Sequence, residues 1–464
     1  MQRIVRLLQQ SGLNRPAFFS LATRGTQSAT GLLTIAFVGR FLTLESQGYY
    51  YAILSFVAFV MLGEFGLNYA VMQSASHEAA ALTGLDRTGS SDAGVRSRLR
   101  ALLFGATRFT AYATSLAVVL VAVIGTQTFV GTPTSGLPGD TWAGPWALAI
   151  LAVAANQQLA PRFALLEGIG GAAAVWRFRL HQELLIAATL WTALASGLGL
   201  WSIALAYTTR FTYSTLWLRS HTTAGPLREL ARTHEDAPAP ADYWRAEVWP
   251  FQWRIGLSVV AGYFIFQLLT PIVFALNGAR VAGQFGMTMA LTNGLLVATT
   301  AWLNSQAPLY GRLIAQREYA ELNREFARAV RSSFVVVLAA ALAVTGVVML
   351  LADRQHPIGD RVLPPLPFAL LMASTVVNHL TFALAVYLRA HRKEPLLVPS
   401  VVGAVVTALA TYITARSGNL VWVTGGYLAL TAVGGVVTLG IFVSRSRRWH
   451  AHDAVVPSTD TVTL

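Results

Sequence analysis

Long apolar stretches recur along the chain, separated by short segments rich in Gly, Pro or Arg. A helix needs about 20 apolar residues to cross the hydrocarbon core of a bilayer. Stretches of about this length cover residues 16-39, 48-71, 101-125, 143-166, 180-196, 198-218, 249-275, 281-307, 330-352, 363-388, 396-415 and 420-443. The pattern therefore predicts an all-α, polytopic membrane protein with about 12 transmembrane helices.

The basic residues test this topology independently, because short cytoplasmic loops collect Lys and Arg and external loops do not. If the chain starts inside, 25 of its 34 basic residues fall in cytoplasmic segments and 5 in external ones. One missed or invented span would invert every later loop and destroy this alternation. We therefore predict a multi-pass protein of a bacterial-type inner (cell) membrane, with both termini in the cytoplasm.

The two halves of the chain show a weak internal repeat. Gly48-Tyr49-Tyr50 opens the second predicted span as Gly283-Gln284-Phe285 opens the eighth. Because both halves start inside, we expect a duplication about an axis along the membrane normal. The predicted organisation is an N-terminal six-helix lobe over 1-218, a cytoplasmic linker over 219-248, a C-terminal six-helix lobe over 249-443 and a cytoplasmic tail over 444-464.

The segment 308-329 differs from the apolar stretches, because charged and apolar residues alternate in it near helical spacing. Such a pattern is typical of an amphipathic helix on the membrane surface. We expect a structural role for it.

The amino-acid composition excludes several kinds of functional site. The 464 residues are 54% hydrophobic and 12% charged, with a net charge of +13 that the loop arginines explain without a nucleic-acid partner. There is no Cys, and the sole lysine, Lys393, lacks the Gly before it and the Ser or Thr after it that a Walker A motif requires. No catalytic residue, cofactor or metal site is predicted.

Four basic residues are assigned to neither a cytoplasmic nor an external segment: Arg24, Arg108, Arg210 and Arg254. A cation at the bilayer centre costs about 2.5–3.5 kcal/mol on insertion scales, so such a residue is a functional candidate. The alternative is snorkelling, since all but Arg210 lie within about two helical turns of the inner boundary. A positive interior would suit an anionic substrate that enters from the cytosol.

A polar stripe continues from Arg24 along one face of the first span, through Gln27, Ser28 and Thr34. Lipid does not accept such a stripe, so it must face protein or a water-filled cavity. A similar polar stripe follows the seventh span from Arg254 through Ser258 to Gln267, which lies deeper in the membrane. Further polar residues either line the same space or hydrogen-bond between helices: Asn156, Gln157, Gln158, Asn293, Asn378 and His379.

Glu64 is the sole carboxylate predicted deep in a span. It is either a counter-ion, for Arg24 or Arg254, or a site for a coupling proton or cation. We favour the counter-ion role, because four embedded cations make pairing electrostatically easy.

The residues around Glu64 resemble a known family. Three segments carry the likeness: Gly48-Tyr49-Tyr50-Tyr51, Glu64-Phe65-Gly66-Leu67 and Gln73-Ser74-Ala75-Ser76-His77-Glu78. They look like the start of the polysaccharide biosynthesis or polysaccharide transporter family, the O-antigen-type flippases of the MATE-like superfamily. The motif covers only the first two spans. The resemblance implies two six-helix lobes around a central cavity that opens alternately inward and outward.

The resemblance also implies a substrate, an oligosaccharide joined through pyrophosphate to a polyprenyl lipid. Cationic residues of such flippases are associated with the phosphates, a role that Arg24 and Arg254 match by position and that we extend to Arg210 and Arg108. The sugars would meet Gln27, Gln267, Asn293 and Asn378. Expected partners are the lipid-linked oligosaccharide and membrane lipids, with glycosyltransferases or a polymerase of the same pathway as further candidates.

Other classes of function fit these residues less well. Cation-coupled drug extruders use embedded carboxylates, and the first and seventh spans contain none, whereas export of lipid II is harder to exclude. A polytopic polymerase, ligase or lipid-using glycosyltransferase needs paired acids or metal ligands, and the chain has no Asp-x-Asp or His-Glu-x-x-His. A membrane scaffold without transport would not need the polar stripes.

Overall fold

The computed structural model describes residues 15–84, 92–131, 136–232, 244, 248–391 and 395–455. Helices make up the regular secondary structure of these residues, and no strand occurs among them. The chain divides into two compact units, Met1–Gly283 and Gln284–Leu464.

In the first unit, long helices alternate with short ones. They are α1 (Arg15–Phe41), α2 (Leu44–Met61), α3 (Leu67–Gly84), α4 (Asp92–Val130), α5 (Gly139–Gln157), α6 (Ala160–Leu166), α7 (Ala172–Ala195), α8 (Trp201–Ser220), α9 (Gly225–Arg232), α10 (Trp249–Phe266), α11 (Leu269–Asn277) and the first residues of α12 (Ala279–Ser305). Helix α1 packs along α7, and α8 packs against both α5 and α7. Side chains of α3, α4, α6 and α7 form the main apolar core, in which Leu102, Leu165 and Leu166 are fully buried.

The second unit contains the rest of α12 and five further helices in its described part. These are α13 (Ala307–Ala315), α14 (Tyr319–Asp353), α15 (Pro365–Ala390), α16 (Leu397–Ala415) and α17 (Leu420–Val455). Helix α17 packs along α15 and α16, and α14 packs against α15. Tyr310 and Tyr387 are fully buried where α13, α14 and α15 meet.

Every predicted span coincides with a helix or a pair of helices. Eight helical stretches of the described chain are long and apolar enough to cross a membrane: Leu44–Ala79, Gly94–Val130, Gln252–Asn277, Ala279–Ala315, Tyr319–Asp353, Pro365–Ala390, Leu397–Ala415 and Leu420–Ser446. The spans predicted at 16-39, 143-166, 180-196 and 198-218 form helices that are less apolar. The prediction of an all-α, polytopic membrane protein is confirmed.

Two elements differ from the predictions. The stretch 48-71 is not one continuous helix, because Phe65 and Gly66 have φ angles of 45° and 69° that separate α2 from α3. The segment 308-329 is not one separate amphipathic helix either. It breaks near Arg317, where φ is 58°, and its second part belongs to α14, which continues without interruption into the ninth predicted span.

The compact units do not follow the predicted lobes. Helices α10 and α11, which were assigned to the C-terminal lobe, lie in the first unit. They pack there against α2, α3 and α4. Compactness and internal duplication are different criteria, so the lobe boundaries at 218 and 249 stay a prediction.

Candidate functional site

Glu64 lies in a break between α2 and α3. Glycines at this break allow neighbouring helices to pack closely against it. A Cβ atom on Gly63 would lie 2.7 Å from the Thr114 hydroxyl of α4, and one on Gly66 would lie 2.5 Å from the Ile255 side chain of α10. The ring of Phe65 lies over Gly256, where a Cβ atom would meet it at 2.2 Å. The Gly-Glu-Phe-Gly sequence therefore holds α4 and α10 against the break and fixes the position of Glu64.

The carboxylate of Glu64 accepts a hydrogen bond from the side-chain nitrogen of Asn68, one turn later on α3. The cationic charge that acts on it comes from Arg179 of α7. It makes no ion pair with Arg24 or Arg254. The counter-ion role therefore stays a prediction.

A second tight contact lies between α3 and the turn at residues 167–171, and Arg179 of α7 lies beside it. A Cβ atom on Gly168 would lie 2.4 Å from the carbonyl oxygen of Met72 and 2.6 Å from the side chain of Ala75. Beside it, Arg179 forms an ion pair with Glu167 and stacks over the ring of Trp176 at 4.6 Å. Burial raises the pKa of Glu167, and the Arg179 charge opposes that rise.

Arg210 is neutralised within the first unit. Its Nη2 atom lies 2.9 Å from a carboxylate oxygen of Glu183 on α7, and the two side chains are 22% and 14% exposed. Glu183 lies about one helical turn from the start of the fifth predicted span, so the description of Glu64 as the sole carboxylate deep in a span stays a prediction. Arg210 therefore joins α7 to α8, and its Nε atom has no hydrogen-bond partner among the described residues.

A chain of side-chain hydrogen bonds continues next to this ion pair. Gln182 donates to the Ser214 hydroxyl at 2.7 Å, and Ser214 donates to the Asn156 side chain at 3.0 Å. Nearby, Gln157 donates to the carbonyl oxygen of Met61 at 3.1 Å. Asn156 and Gln157 of the fourth predicted span thus form hydrogen bonds between helices, the structural alternative that the sequence left open.

Some polar residues of α1 attach it to α7, namely Thr23, next to the predicted stripe, and Thr34 within it. Thr23 is buried and donates to the carbonyl oxygen of Trp176 at 3.3 Å, and Trp191 donates to the Thr34 hydroxyl at 2.9 Å. Those residues attach α1 to α7. Arg24 and Gln27 are exposed, and no described residue hydrogen-bonds or pairs with their side chains.

Arg254 and Arg108 are also exposed, and the guanidinium of each lies near an aromatic ring on its own helix. The guanidinium of Arg254 lies 5.5 Å from the Trp253 ring centre, and that of Arg108 lies 5.6 Å from the Tyr112 ring centre. No carboxylate of the described chain forms an ion pair with either. Gln267 is half-buried between α10 and α11, where its backbone nitrogen donates to Tyr263 at 2.8 Å.

The remaining predicted residues lie in the second unit. Asn378 donates to the Tyr427 hydroxyl at 3.4 Å, and the neighbouring His379 shares a 3.0 Å hydrogen bond with Ser333. Both contacts join α15 to adjacent helices. Asn293 is half-buried in α12, and its side chain has no hydrogen bond to the described residues.

The sequence did not point to Arg179, Gln182 or Glu183 as candidates, and Arg179 was assigned to a loop. A helical-spacing signal could have found them, because these positions share one face of a helix. Their partners could not be found in that way, since they lie on α8 and beside α3. The described residues contain no group of three His, Asp or Glu side chains that could hold a metal ion.

No known protein family matches the sequence, and no curated protein matches it. Solved structures do match. An inward-facing multidrug resistance MATE family transporter of the MOP superfamily is 13% identical, with a TM-score of 0.59 over 90% of this chain and 99% of that one. The Vibrio cholerae MATE transporter VcmN is 13% identical, with a TM-score of 0.57 over 94% of this chain and 97% of that one.

The lipid II flippase MurJ, in an inward closed conformation, also matches. It is 11% identical, with a TM-score of 0.54 over 91% of this chain and 86% of that one. At these identities the likeness concerns the fold. The chain therefore has the MATE-like fold of a multi-pass membrane protein.

Proposed function

We propose that the protein is a flippase that moves a polyprenyl-pyrophosphate-linked oligosaccharide from the cytoplasmic to the outer leaflet of a bacterial inner membrane. It would do so by alternating access, with both termini in the cytoplasm, and would serve surface polysaccharide biosynthesis. Glycosyltransferases or a polymerase of the same pathway are its proposed partners.

The observation that carries this proposal is the presence of uncompensated cations on two predicted spans. Arg24 and Arg254 lie within predicted spans, are exposed, and form no ion pair with described residues. Arg210 differs, because Glu183 compensates it. We therefore assign the pyrophosphate to Arg24 and Arg254, whose guanidinium groups can bind phosphate oxygens in a bidentate manner, and give Arg210 a supporting role.

The sugar part of the substrate requires hydrogen-bond donors and acceptors without a fixed charge. Gln27 follows Arg24 by about one helical turn, and its side chain is exposed and unbonded to described residues. Gln267 and Asn293 similarly have unbonded side-chain amides, so all three suit this role. Asn378 is already bonded to Tyr427, which makes it the weakest of the proposed sugar contacts.

The names of two of the fold neighbours indicate different substrates. One bears the name of a lipid II flippase and another that of a multidrug resistance transporter. The fold thus accommodates lipid-linked sugars as well as drugs. The absence of Asp and Glu from α1 and α10 and the two uncompensated arginines favour an anionic, lipid-linked substrate for this chain.

Transport into the inner leaflet of reconstituted vesicles tests the proposal. The purified chain is incorporated with a fluorescent polyprenyl-pyrophosphate oligosaccharide, and an impermeant quencher measures the fraction that has crossed the bilayer. Parallel vesicles contain fluorescent lipid II or a cationic drug. We expect the oligosaccharide lipid to cross faster than in protein-free vesicles, and faster than it does with the Arg24→Gln variant.

Transport of the cationic drug alone would overturn the proposal in favour of drug export. Transport of lipid II alone would overturn the polysaccharide assignment and retain a lipid-linked substrate. A chain that shortens, extends or transfers the oligosaccharide in these vesicles, as seen by mass spectrometry, would instead be an enzyme of polysaccharide assembly.

A further inference from the structure

The second compact unit contains a cavity of about 720 Å³ between α14, α15 and α17. Its wall is mainly apolar, formed by Phe326, Val330 and Phe334 of α14, Leu380 of α15, and Phe442 and Val443 of α17. Ligand cavities in proteins have volumes of about 300–1,000 Å³. The cavity is therefore large enough for a lipid chain, and its wall suits one.

One charged residue lines this cavity, Arg331. It is exposed and forms no ion pair with any described residue. Two other arginines on the same helix are compensated, since Arg324 pairs with Glu321 and Arg328 pairs with Glu325 at 2.5 Å.

The spacing of the charged residues along α14 explains this difference. Arg324 and Arg328 each follow a glutamate by three residues, which is a contact distance on a helix. The residue three positions before Arg331 is Arg328, and the residue four positions before it is Ala327. The guanidinium of Arg331 thus has no carboxylate on its own helix and remains available to an anion.

A second polar group stands at the same cavity. Asn323 lines it, and its side-chain oxygen accepts a hydrogen bond from the Tyr387 hydroxyl at 2.7 Å. That bond orients the amide and leaves its nitrogen as a donor without a described acceptor. The cavity thus combines an apolar wall with a cation and an amide donor, which together match an acyl chain and a phosphate.

We propose that this cavity binds one anionic phospholipid of the surrounding bilayer, with an acyl chain on the apolar wall and the phosphate on Arg331. Arg331 lies at the predicted cytoplasmic start of the ninth span, and basic pockets between helices on that side of a membrane bind anionic headgroups. A resident lipid fits better than the transported one, because the cavity contains neither of the arginines proposed for the substrate, Arg24 and Arg254.

The experiment uses the full chain in detergent, with phosphatidylglycerol as the anionic probe and phosphatidylcholine as the neutral one. Native mass spectrometry counts bound lipids, and a diazirine in the acyl chain of phosphatidylglycerol identifies the contacted peptides. Arg331→Gln is compared with Arg328→Gln, which removes an equal charge from the same helix outside the cavity. Arg331→Lys keeps the charge. Ala327→Trp fills the cavity and leaves the charge unchanged.

We expect phosphatidylglycerol to bind more tightly than phosphatidylcholine and to cross-link to peptides containing residues 323–334 and 442–446. Loss of one lipid-binding cation costs about 1 kcal/mol, or about a fivefold weaker affinity, so Arg331→Gln should show this loss and Arg328→Gln should not. Arg331→Lys should retain most of the binding, and Ala327→Trp should abolish the cross-link.

Equal binding of both lipids, or equal losses in the two glutamine variants, would overturn the proposal. Cross-linking confined to other helices would overturn it as well. If polyprenyl phosphate displaces phosphatidylglycerol at equal concentration from the native protein but not from Arg331→Gln, the cavity belongs to the transported lipid, and the proposal is wrong.

Discussion

Gly48 of α2 and Gly283 of α12 lie against each other. A Cβ atom on Gly283 would be 2.9 Å from the backbone nitrogen of Gly48, and one on Gly48 would be 1.9 Å from the carbonyl oxygen of Ala279. Next to them, Gln47 donates to the carbonyl oxygen of Gly283 at 2.8 Å. The two glycines are equivalent positions of the predicted duplication, so the repeat coincides with a close crossing of two helices.

Substitution of Gly48 by Ala should therefore destabilise the protein. The new methyl group meets backbone atoms, which cannot rotate away, and such overpacking costs about 1–3 kcal/mol. Thermal unfolding of the purified protein in detergent measures the effect. Gly31→Ala on α1 is the matched control, because nothing lies within 4 Å of its Cβ position; equal melting temperatures for the two variants would contradict the crossing.

Arg24→Gln and Arg254→Gln should each slow transport of the lipid-linked oligosaccharide. A charge-assisted hydrogen bond is worth about 1.5–3 kcal/mol, so we expect about a tenfold or larger loss. The lysine variants should retain part of the rate, since they keep the charge but lose the bidentate geometry. Arg40→Gln, an exposed arginine at the other end of α1, is the control; normal rates in both glutamine variants at equal protein levels would refute the phosphate role.

Breaking the ion pair between Arg210 and Glu183 should lower stability before it affects transport. Glu183→Gln leaves the half-buried guanidinium without its counter-ion, and an unsatisfied group of this kind costs about 1–3 kcal/mol. The double variant Glu183→Gln/Arg210→Gln should recover much of that loss. A double-mutant cycle of melting temperatures gives the coupling, and additive single effects would show that the pair contributes nothing.

The exposed part of the α1 stripe should be accessible to water. Because the chain has no native Cys, single cysteines can be labelled without background. We expect an impermeant maleimide to react with Gln27→Cys and to leave Thr23→Cys unmodified, since Gln27 is exposed and Thr23 is buried against α7. Failure to label Gln27→Cys from either side of the membrane would place that face in lipid and remove the proposed binding surface.

Glu64→Gln distinguishes the two roles considered for this carboxylate. The amide can still accept the hydrogen bond from Asn68, so we expect the fold to survive. If Glu64 is a counter-ion, the variant should lose some thermal stability, and transport should keep its dependence on pH and cations. Abolition of that dependence would instead support a proton or ion site, and Asn68→Ala, which keeps the carboxylate, serves as the control.

Much of the architecture was accessible from sequence. The apolar stretches predicted the helices because the length needed to cross a bilayer and the exclusion of charge are local properties. The breaks were not predicted. Whether Glu64-Phe65-Gly66 continues a helix depends on what packs beside it, and the close approach of Thr114 and Ile255 is visible only in three dimensions.

The candidate site divides in the same way. The sequence by itself determined that Arg24, Arg210 and Arg254 lie in apolar stretches, and so identified them as candidates. Only the tertiary structure decided that Arg210 has a partner in Glu183 whereas Arg24 and Arg254 form no described ion pair. An ion pair between helices depends on how those helices are rotated and packed, and residue spacing along a single helix contains no information about that.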